Sequence, residues 1–467
     1  MNDVSQYLVE FDGAVTLTPA RRRALTLIAF GEFVDGYDLI AIGGALLMLR
    51  PLFNLTPAET GFLGAIAFFG AAVGLFAVGE IADRFGRRNV FVYTFWLFIV
   101  LSLLSAVVSN YTELLIVRSL MGVAIGADIA ASITFLAEVA PTRSRGGWTG
   151  AMPQIAWTLG AFLSLAVALW LYTWLGEGSW RWLLGLGALP ALVIILGRQA
   201  LPESPRWLLS QGRVQEAEES MRLLGIPASA LMHSASTEKA AQGSYLDIFK
   251  QPHTSRALLA IIIISVAPLM SPASVVAPYV LKYVGLLGTT ASLKGSMFIW
   301  VGGFVGSIIA FATIDRIGRL TSTVIACWGC AISLVLLVQW VENPVLFISV
   351  YIMLGVLTWF GASSFWTLPT ELLPTHLRAR AQGVGNGLCR TVIGLTVWII
   401  PWSVATFGFP VTFYILAAAA VLLGCYALTG LRFEPMGRTL SEEPAPRSTS
   451  HGTAPVNRST ATMQAKP

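Results

Sequence analysis

Asp83-Arg84-Phe85-Gly86-Arg87 and Asp315-Arg316-Ile317-Gly318-Arg319 are one short loop written twice, 232 positions apart. A second pair, Glu138-Val139-Ala140-Pro141-Thr142-Arg143-Ser144-Arg145 and Glu371-Leu372-Leu373-Pro374-Thr375-His376-Leu377-Arg378, repeats Glu, Pro and Arg at an offset of 233. Each loop follows an apolar stretch long enough to cross a bilayer. A unit that recurs with its loops in register is a parallel internal duplication, an arrangement suited to two halves that rock about a central site.

Working outward from these loops, apolar windows of about 20 residues lie at 24–47, 60–82, 89–108, 112–137, 148–175 and 180–199. A second set lies at 257–284, 293–314, 320–340, 344–368, 382–407 and 410–431. The expected fold is an all-α polytopic membrane protein whose twelve transmembrane helices form two six-helix bundles, residues 1–199 and 256–432. Residues 200–255 read as a polar linker with an amphipathic helix around Arg213–Leu224. Residues 433–467, rich in Pro, Ser, Thr and Ala, read as a disordered tail. Composition agrees: of 467 residues, 55% are hydrophobic and 12% charged, with a mean hydropathy of +0.71. A soluble domain carries about twice that charged fraction.

Orientation follows from charge. With both termini cytoplasmic, 24 of the 30 Lys and Arg fall on the inner side. Four (Arg50, Arg181, Lys282, Lys294) fall outside and two (Arg118, Arg390) lie within spans. The positive-inside rule thus puts both ends in the cytoplasm of a cell-membrane protein. No cleavable leader is visible, since residues 1–20 are polar. Cys327, Cys330, Cys389 and Cys425 sit in apolar runs, and the Cys327-Trp328-Gly329-Cys330 spacing has no second ligand pair, so packing is the expected role.

The first window carries Glu32, Asp35 and Asp38 at i, i+3 and i+6, within an arc of roughly 120° on one helix face. Each costs roughly 2.5–3.5 kcal/mol at a bilayer's centre, so the face must meet a polar cavity or partners. Entering near Ala24, Asp35 lies roughly 16 Å deep and Asp38 roughly 21 Å; Arg118 lies roughly 9 Å below the outer face. Asp38 and Arg118 are therefore level. Their pairing would satisfy both charges, and protonation of the Asp would release the Arg. Proton coupling is assigned to Asp35, Asp38 and Arg118, with a static Asp38–Arg118 pair as the alternative. Glu32 is either part of the path or solvated in an inner vestibule, and Asp128 falls at a comparable level.

Arg390 is the single charge inside the second half's spans, and the seventh window offers no acid to pair with it. An anion seat follows, because guanidinium holds carboxylate in a two-point fork. The alternative is pairing with a first-half acid. Further substrate contacts are assigned to Asp128, Gln154, Trp157, Trp359 and Asn386, with Trp157 and Trp359 as a stacking pair for a flat substrate.

Gly79-x-x-x-Asp83-Arg84-x-Gly86-Arg87-Arg88 resembles the signature loop of the major facilitator superfamily. Arg118-x-x-x-Gly122-x-x-x-Gly126 resembles its fourth-helix motif, with Ala124 where the family often has Gly. Pro202-Glu203-Ser204-Pro205-Arg206-Trp207 is similar to the sequence shared by sugar porters and related carriers. Gly36-Tyr37-Asp38 resembles the first helix of proton-coupled sugar porters, where the matching Asp takes the proton and faces the matching Arg. The fuller Asp35-Gly36-Tyr37-Asp38 looks like the motif of the aromatic-acid:proton symporters, and Gly126-Ala127-Asp128 resembles the Gly-Gly-acid of phosphate and nicotinate-type carriers. The resemblance covers residues 20–432 and implies a monomeric proton symporter. Its charged loops, with Gly79, Asp83, Arg84, Gly86, Arg87, Arg88, Glu138, Arg145, Asp315, Arg316, Arg319, Glu371 and Arg378, are assigned to gating, as pairs that hold in one state and part in the other.

Sugar porters of this resemblance carry a Gln pair in the seventh helix, where this chain reads Ala267-Pro268-Leu269-Met270-Ser271-Pro272. That argues against a sugar. Phosphate symporters place an acid there and a Lys in the eleventh helix, and neither is present. No Walker loop, nucleic-acid motif or metal-ligand cluster occurs, and His233, His253, His376 and His451 all lie outside the spans. The expectation is a proton-coupled symporter of a small organic anion, an aromatic or heteroaromatic carboxylate, and not an enzyme; no cofactor is expected. A carrier of another small solute such as a sugar, or a proton antiporter, is the alternative.

Overall fold

The computed structural model describes residues 17–141, 144, 146–225, 248, 250, 254–270, 277–284, 288–373 and 375–434. Side chains are described for these except 78–84, 206, 210, 282–284, 370 and 375–380.

The first span is broken. Helix α1 (Pro19–Ala29) ends at Phe30 and α2 (Gly31–Leu52) resumes at once, leaving Glu32 in the first turn after the break. The next three spans are α3 (Pro57–Phe85), α4 (Arg87–Val107) and α5 (Tyr111–Val139). At 29 residues, α3 and α5 reach about 43 Å at 1.5 Å per residue, beyond a hydrocarbon core of about 30 Å, so their ends project into the loop regions. The fifth span enters through a π-turn (Gly147–Ala151) and continues as α6 (Met152–Leu175); the sixth is α7 (Trp180–Gly185) and α8 (Ala188–Arg198). In the linker, α9 (Pro205–Ser210) and α10 (Val214–Leu224) are described, while 226–247 lie outside the described residues.

The seventh span is α11 (Thr254–Val266), a 3-10 turn (Ala267–Met270) and α12 (Ala277–Val284). Helices α13 (Thr289–Ile317), α14 (Arg319–Gln339) and α15 (Pro344–Phe365) follow. After the short α16 (Leu368–Leu372), α17 (Thr375–Thr429) is divided at Gly408 (φ 83°, ψ 163°) into the eleventh and twelfth spans. Among the described residues the fold is thus all-helical, with twelve spans. Asparagine caps start two of them: the Asn110 side chain accepts from Glu113 N at 2.9 Å, and Asn343 accepts from Val345 N and Leu346 N at 3.2 Å.

Each half packs on itself, the first span against the fifth and the second against the fourth, with the eighth against the tenth beyond the linker. The halves meet where the second span touches the eleventh and the fifth touches the eighth. These contacts are equivalent under the repeat, because adding six to either pair gives the other. Large apolar side chains such as Ile116, Ile332 and Leu422, 56%, 61% and 71% exposed, ring the outside. Lipid is the solvent that makes such a surface favourable.

The motif loops close two sharp turns, at Gly86 (φ 91°) and Gly318 (φ 100°). A side chain would be strained at these angles. Each following helix is capped by a distant carboxylate of its own half. Glu203 accepts from Arg87 N and Arg88 N at 3.1 Å, and Glu434 accepts from Arg319 N at 2.7 Å and Leu320 N at 2.9 Å. The two acids are related by the same repeat as the loops. Phe433 and Glu434, read from sequence as the start of the tail, are therefore docked; 435–467 lie outside the described residues.

Candidate functional site

Between the halves lies a cavity of about 110 Å³, on the scale of a cavity that holds one benzene ring. The first span contributes Glu32, the fifth Gln154 and Trp157, the tenth Thr358, Trp359 and Trp366, and the eleventh Arg390 and Thr396. The seventh contributes Ala267 and Pro268, so among the described residues that wall is apolar. Contacts between the halves flank the cavity on both sides. On the motif face, Gly147 N donates to Asp315 Oδ2 at 3.3 Å. On the far face, Phe62 packs edge-on against Trp398 at 5.4 Å and the Arg50 guanidinium lies 5.3 Å from the Tyr279 ring.

The cavity's aromatic wall joins the halves. Trp157 stacks on Trp359 at 5.9 Å and 26°, and Trp300 packs behind them, 5.1 Å from Trp157 and 4.7 Å from Trp359. Trp366 lies beneath Arg390, whose guanidinium is 5.5 Å from the ring. The Trp366 indole N–H is buried without an acceptor.

The buried charges fall into two groups. Some are paired. Arg118 Nη1 donates to both Asp38 oxygens at 2.8 and 2.7 Å, and Nη2 reaches the Asp38 carbonyl at 3.3 Å. Arg198 Nη1 holds Asp128 Oδ1 at 2.6 Å, its Nη2 and Nε donate to Ile28 O (2.7 Å) and Leu27 O (3.3 Å), and its face lies 4.5 Å from the Phe95 ring. Arg198 thereby clamps the carbonyls at the break in the first span. It lies so close that a Cβ on Gly31 would strike it. Others are unpaired: Glu32 and Arg390 make no hydrogen bond or ion pair, and Asp35 Oδ2 has no partner.

On the motif face, Arg319 binds Asp315 at 2.7 Å and Glu371 at 2.8 Å, linking three residues assigned to gating from sequence. In the other half Arg87 lies 3.6 Å from Glu138, whose carboxylate also accepts from the Ser204 hydroxyl. Arg88 donates to Gln199 O at 2.6 Å, and Arg316 is exposed. The side chains of Asp83, Arg84 and Arg378, and Arg145 altogether, lie outside the described residues, and Gly79 is described only as helix backbone. Burial raises the carboxyls of Glu203 and Glu434 above the usual glutamate range, against the lowering effect of their backbone hydrogen bonds.

Of the residues assigned to substrate from sequence, Arg390, Gln154, Trp157 and Trp359 line the cavity and two do not. Asp128 is turned away by its pair with Arg198 and by Ser132, whose hydroxyl donates to it at 3.2 Å. Asn386 folds back on its own helix, donating to Gln382 O at 3.0 Å. Asp35, Asp38 and Arg118 lie outside the lining. Arg198 was missed: it stands at the edge of the sixth apolar window and was counted with the inner-face charges. Its place inside that window was the available signal. Glu32, for which the sequence leaves both vestibule and path open, lines the cavity.

A family model described as "Sugar (and other) transporter" matches residues 24–444. The putative metabolite transport protein YaaU of Escherichia coli (strain K12) is 32% identical over 425 residues, covering 90% of this chain and 93% of that one. The arabinose-proton symporter of Bacillus subtilis (strain 168) is 29% identical over 416 residues, covering 85% and 89%. Among solved structures, the proton:xylose symporter XylE bound to 6-bromo-6-deoxy-D-glucose superposes with a TM-score of 0.77 at 22% identity, covering 92% of this chain and 99% of that one. These matches support the sugar-porter side of the resemblance and not the aromatic-acid or nicotinate-type side.

Proposed function

The chain belongs to the sugar (and other) transporter family of the major facilitator superfamily, and from that membership we propose that it is a proton-coupled secondary transporter that moves a small polar solute by alternating access. The observation that carries this reading is the cavity between the two duplicated halves, flanked on both faces by contacts that must part in turn. Protons enter through the acid face of the first span, where Asp38 with Arg118 and then Asp35 lie beside the cavity wall. Asp315, Arg319 and Glu371, with their counterparts Arg87 and Glu138, form the latch on the motif face. Both termini lie in the cytoplasm of a cell membrane, and the working unit is a monomer.

Two substrate classes have support. A sugar is what the relatives with a stated substrate favour, one moving arabinose and the structural neighbour xylose. Gln154, Thr358, Thr396 and the Trp366 N–H supply hydroxyl partners here, over a tryptophan platform. An organic anion is favoured by one specific observation, the buried Arg390 that faces the cavity with no acid in hydrogen-bond or ion-pair contact. Among the described residues the seventh-span wall, Ala267 and Pro268, offers no side-chain hydrogen-bond partner to a sugar and leaves that cation dominant.

The test is uptake into proteoliposomes of arabinose, xylose, glucose, benzoate and nicotinate, with and without an inward proton gradient. Accumulation of at least one solute should require the gradient. Uptake of all five that ignores it would overturn the proposed coupling.

A further inference from the structure

Among the described residues, Glu32 and Arg390 are the two acid or base side chains that line the cavity wall, one from each half. Both are over nine-tenths buried, and neither has a hydrogen bond or ion pair. Besides Arg390, the charged groups acting on Glu32 are Asp35 on its own helix, and Asp128 and Arg198 from the fourth and sixth spans. Asp128 and Arg198 neutralise each other at 2.6 Å. With Asp38 likewise committed to Arg118 and the unpaired Asp35 set behind the lining, the wall itself carries one free acid and one free base.

With Asp35 behind it holding a proton, a wall of one acid and one base is neutral when both are ionised. Adding a monoanion at Arg390 leaves one uncompensated negative charge in a low-dielectric space, which is strongly unfavourable. A proton on Glu32 removes it. We propose that Glu32 is where the transported proton meets the substrate, and that the loaded cavity holds a small monocarboxylate on Arg390 with Glu32 protonated. This rests on the proton-coupled reading above and commits its substrate to the anion class. The proton bonds to a Glu32 carboxylate oxygen as the anion enters, and both leave together when the motif face opens. One proton and one monoanion then cross per cycle, with no net charge.

The test uses the full-length protein in proteoliposomes, with benzoate, nicotinate and gluconate as anions, and glucose and xylose as neutral solutes. Uptake of at least one anion should follow the pH gradient and ignore a potassium diffusion potential set with valinomycin. Proton-driven uptake of a neutral sugar alone, enhanced by an inside-negative potential, would overturn this inference while leaving proton-coupled transport standing. Indifference to both gradients would overturn both. In Glu32→Gln the ratio of anion uptake with and without the pH gradient should fall to about 1. Binding of the same anion, read from tryptophan fluorescence, should weaken by up to about tenfold per pH unit in the native protein as pH rises, and stay flat in the variant. Glu32→Asp, which keeps the carboxyl, should restore the gradient response. An unchanged gradient ratio in Glu32→Gln, or a flat pH profile in the native protein, would overturn the assignment.

Discussion

The two halves share a fold and motif loops but not their electrostatics. The N-terminal half buries two ion pairs, Asp38–Arg118 and Asp128–Arg198, within its spans, and two further acids, Glu32 and Asp35, without partners. In the C-terminal half, the described span interior holds Arg390 without an acid to answer it. Duplication therefore preserved the frame and the latches while the chemistry diverged. One half was left as a bank of carboxyls and the other as a single cation. The difference separates charges that hold the structure from charges kept free for something that comes and goes.

That contrast predicts a hierarchy of effects. Arg198→Ala leaves Asp128 buried and unpaired and frees the carbonyls of Leu27 and Ile28, and should cost about 3–5 kcal/mol of stability, measured by thermal unfolding in detergent. Arg390→Ala should cost under about 1 kcal/mol in the same assay, since a buried cation without a counter-ion stabilises little. Equal losses would erase the distinction between the halves. Asp38→Asn should also destabilise and should abolish concentrative uptake. The double variant Asp38→Asn/Arg118→Gln should regain much of the stability but none of the accumulation, because removing both partners removes the unpaired charge but not the need for a titratable group. For transport, Arg390→Ala should raise the apparent KM for an anion by about 10- to 100-fold, the worth of a charge-assisted hydrogen bond, and that for a neutral analogue far less.

The smallest expected effects belong to the two caps. Glu203→Gln and Glu434→Gln each keep an acceptor oxygen for the helix N-terminus and should cost about 1 kcal/mol or less. Burial raises both folded-state carboxyls above their unfolded range. The folded protein thus binds protons more readily at these sites. Their contribution to stability is full below the ordinary glutamate value and declines as pH rises through the raised one. Unfolding of the double Gln variant at several pH values should be less pH-dependent than that of the native protein between these limits.

The fold was legible because its determinants are coarse: window length, loop charge and two motifs that recur at offsets of 232 and 233. The Asp38–Arg118 pair was legible because both residues lie well inside their windows, where depth follows from 1.5 Å per residue. Arg198 was not, because a residue at a window's edge can reach either way, and only packing shows it bending inward to the broken first span. The turn of Asp128 away from the cavity was hidden for the same reason, its partner Arg198 standing at that window's edge. The place of Asn386 outside the lining was hidden because an amide can satisfy itself on its own helix one turn back. Glu434 was hidden by the composition of its neighbours. The substrate class is the least legible, because the motifs that identify the family sit at the loops and the residues that face the cargo do not.

The indole cluster has an optical consequence. Trp157 belongs to one half, and Trp300 and Trp359 to the other, with ring centres 5.1 and 5.9 Å apart across the boundary. Chromophores at such spacing couple in their ultraviolet transitions, and the coupling falls steeply with separation. When the halves rock apart beside the cavity, that coupling must change in step. The molecule therefore carries an intrinsic near-ultraviolet signal of its own conformational cycle, readable without a label or a transported isotope.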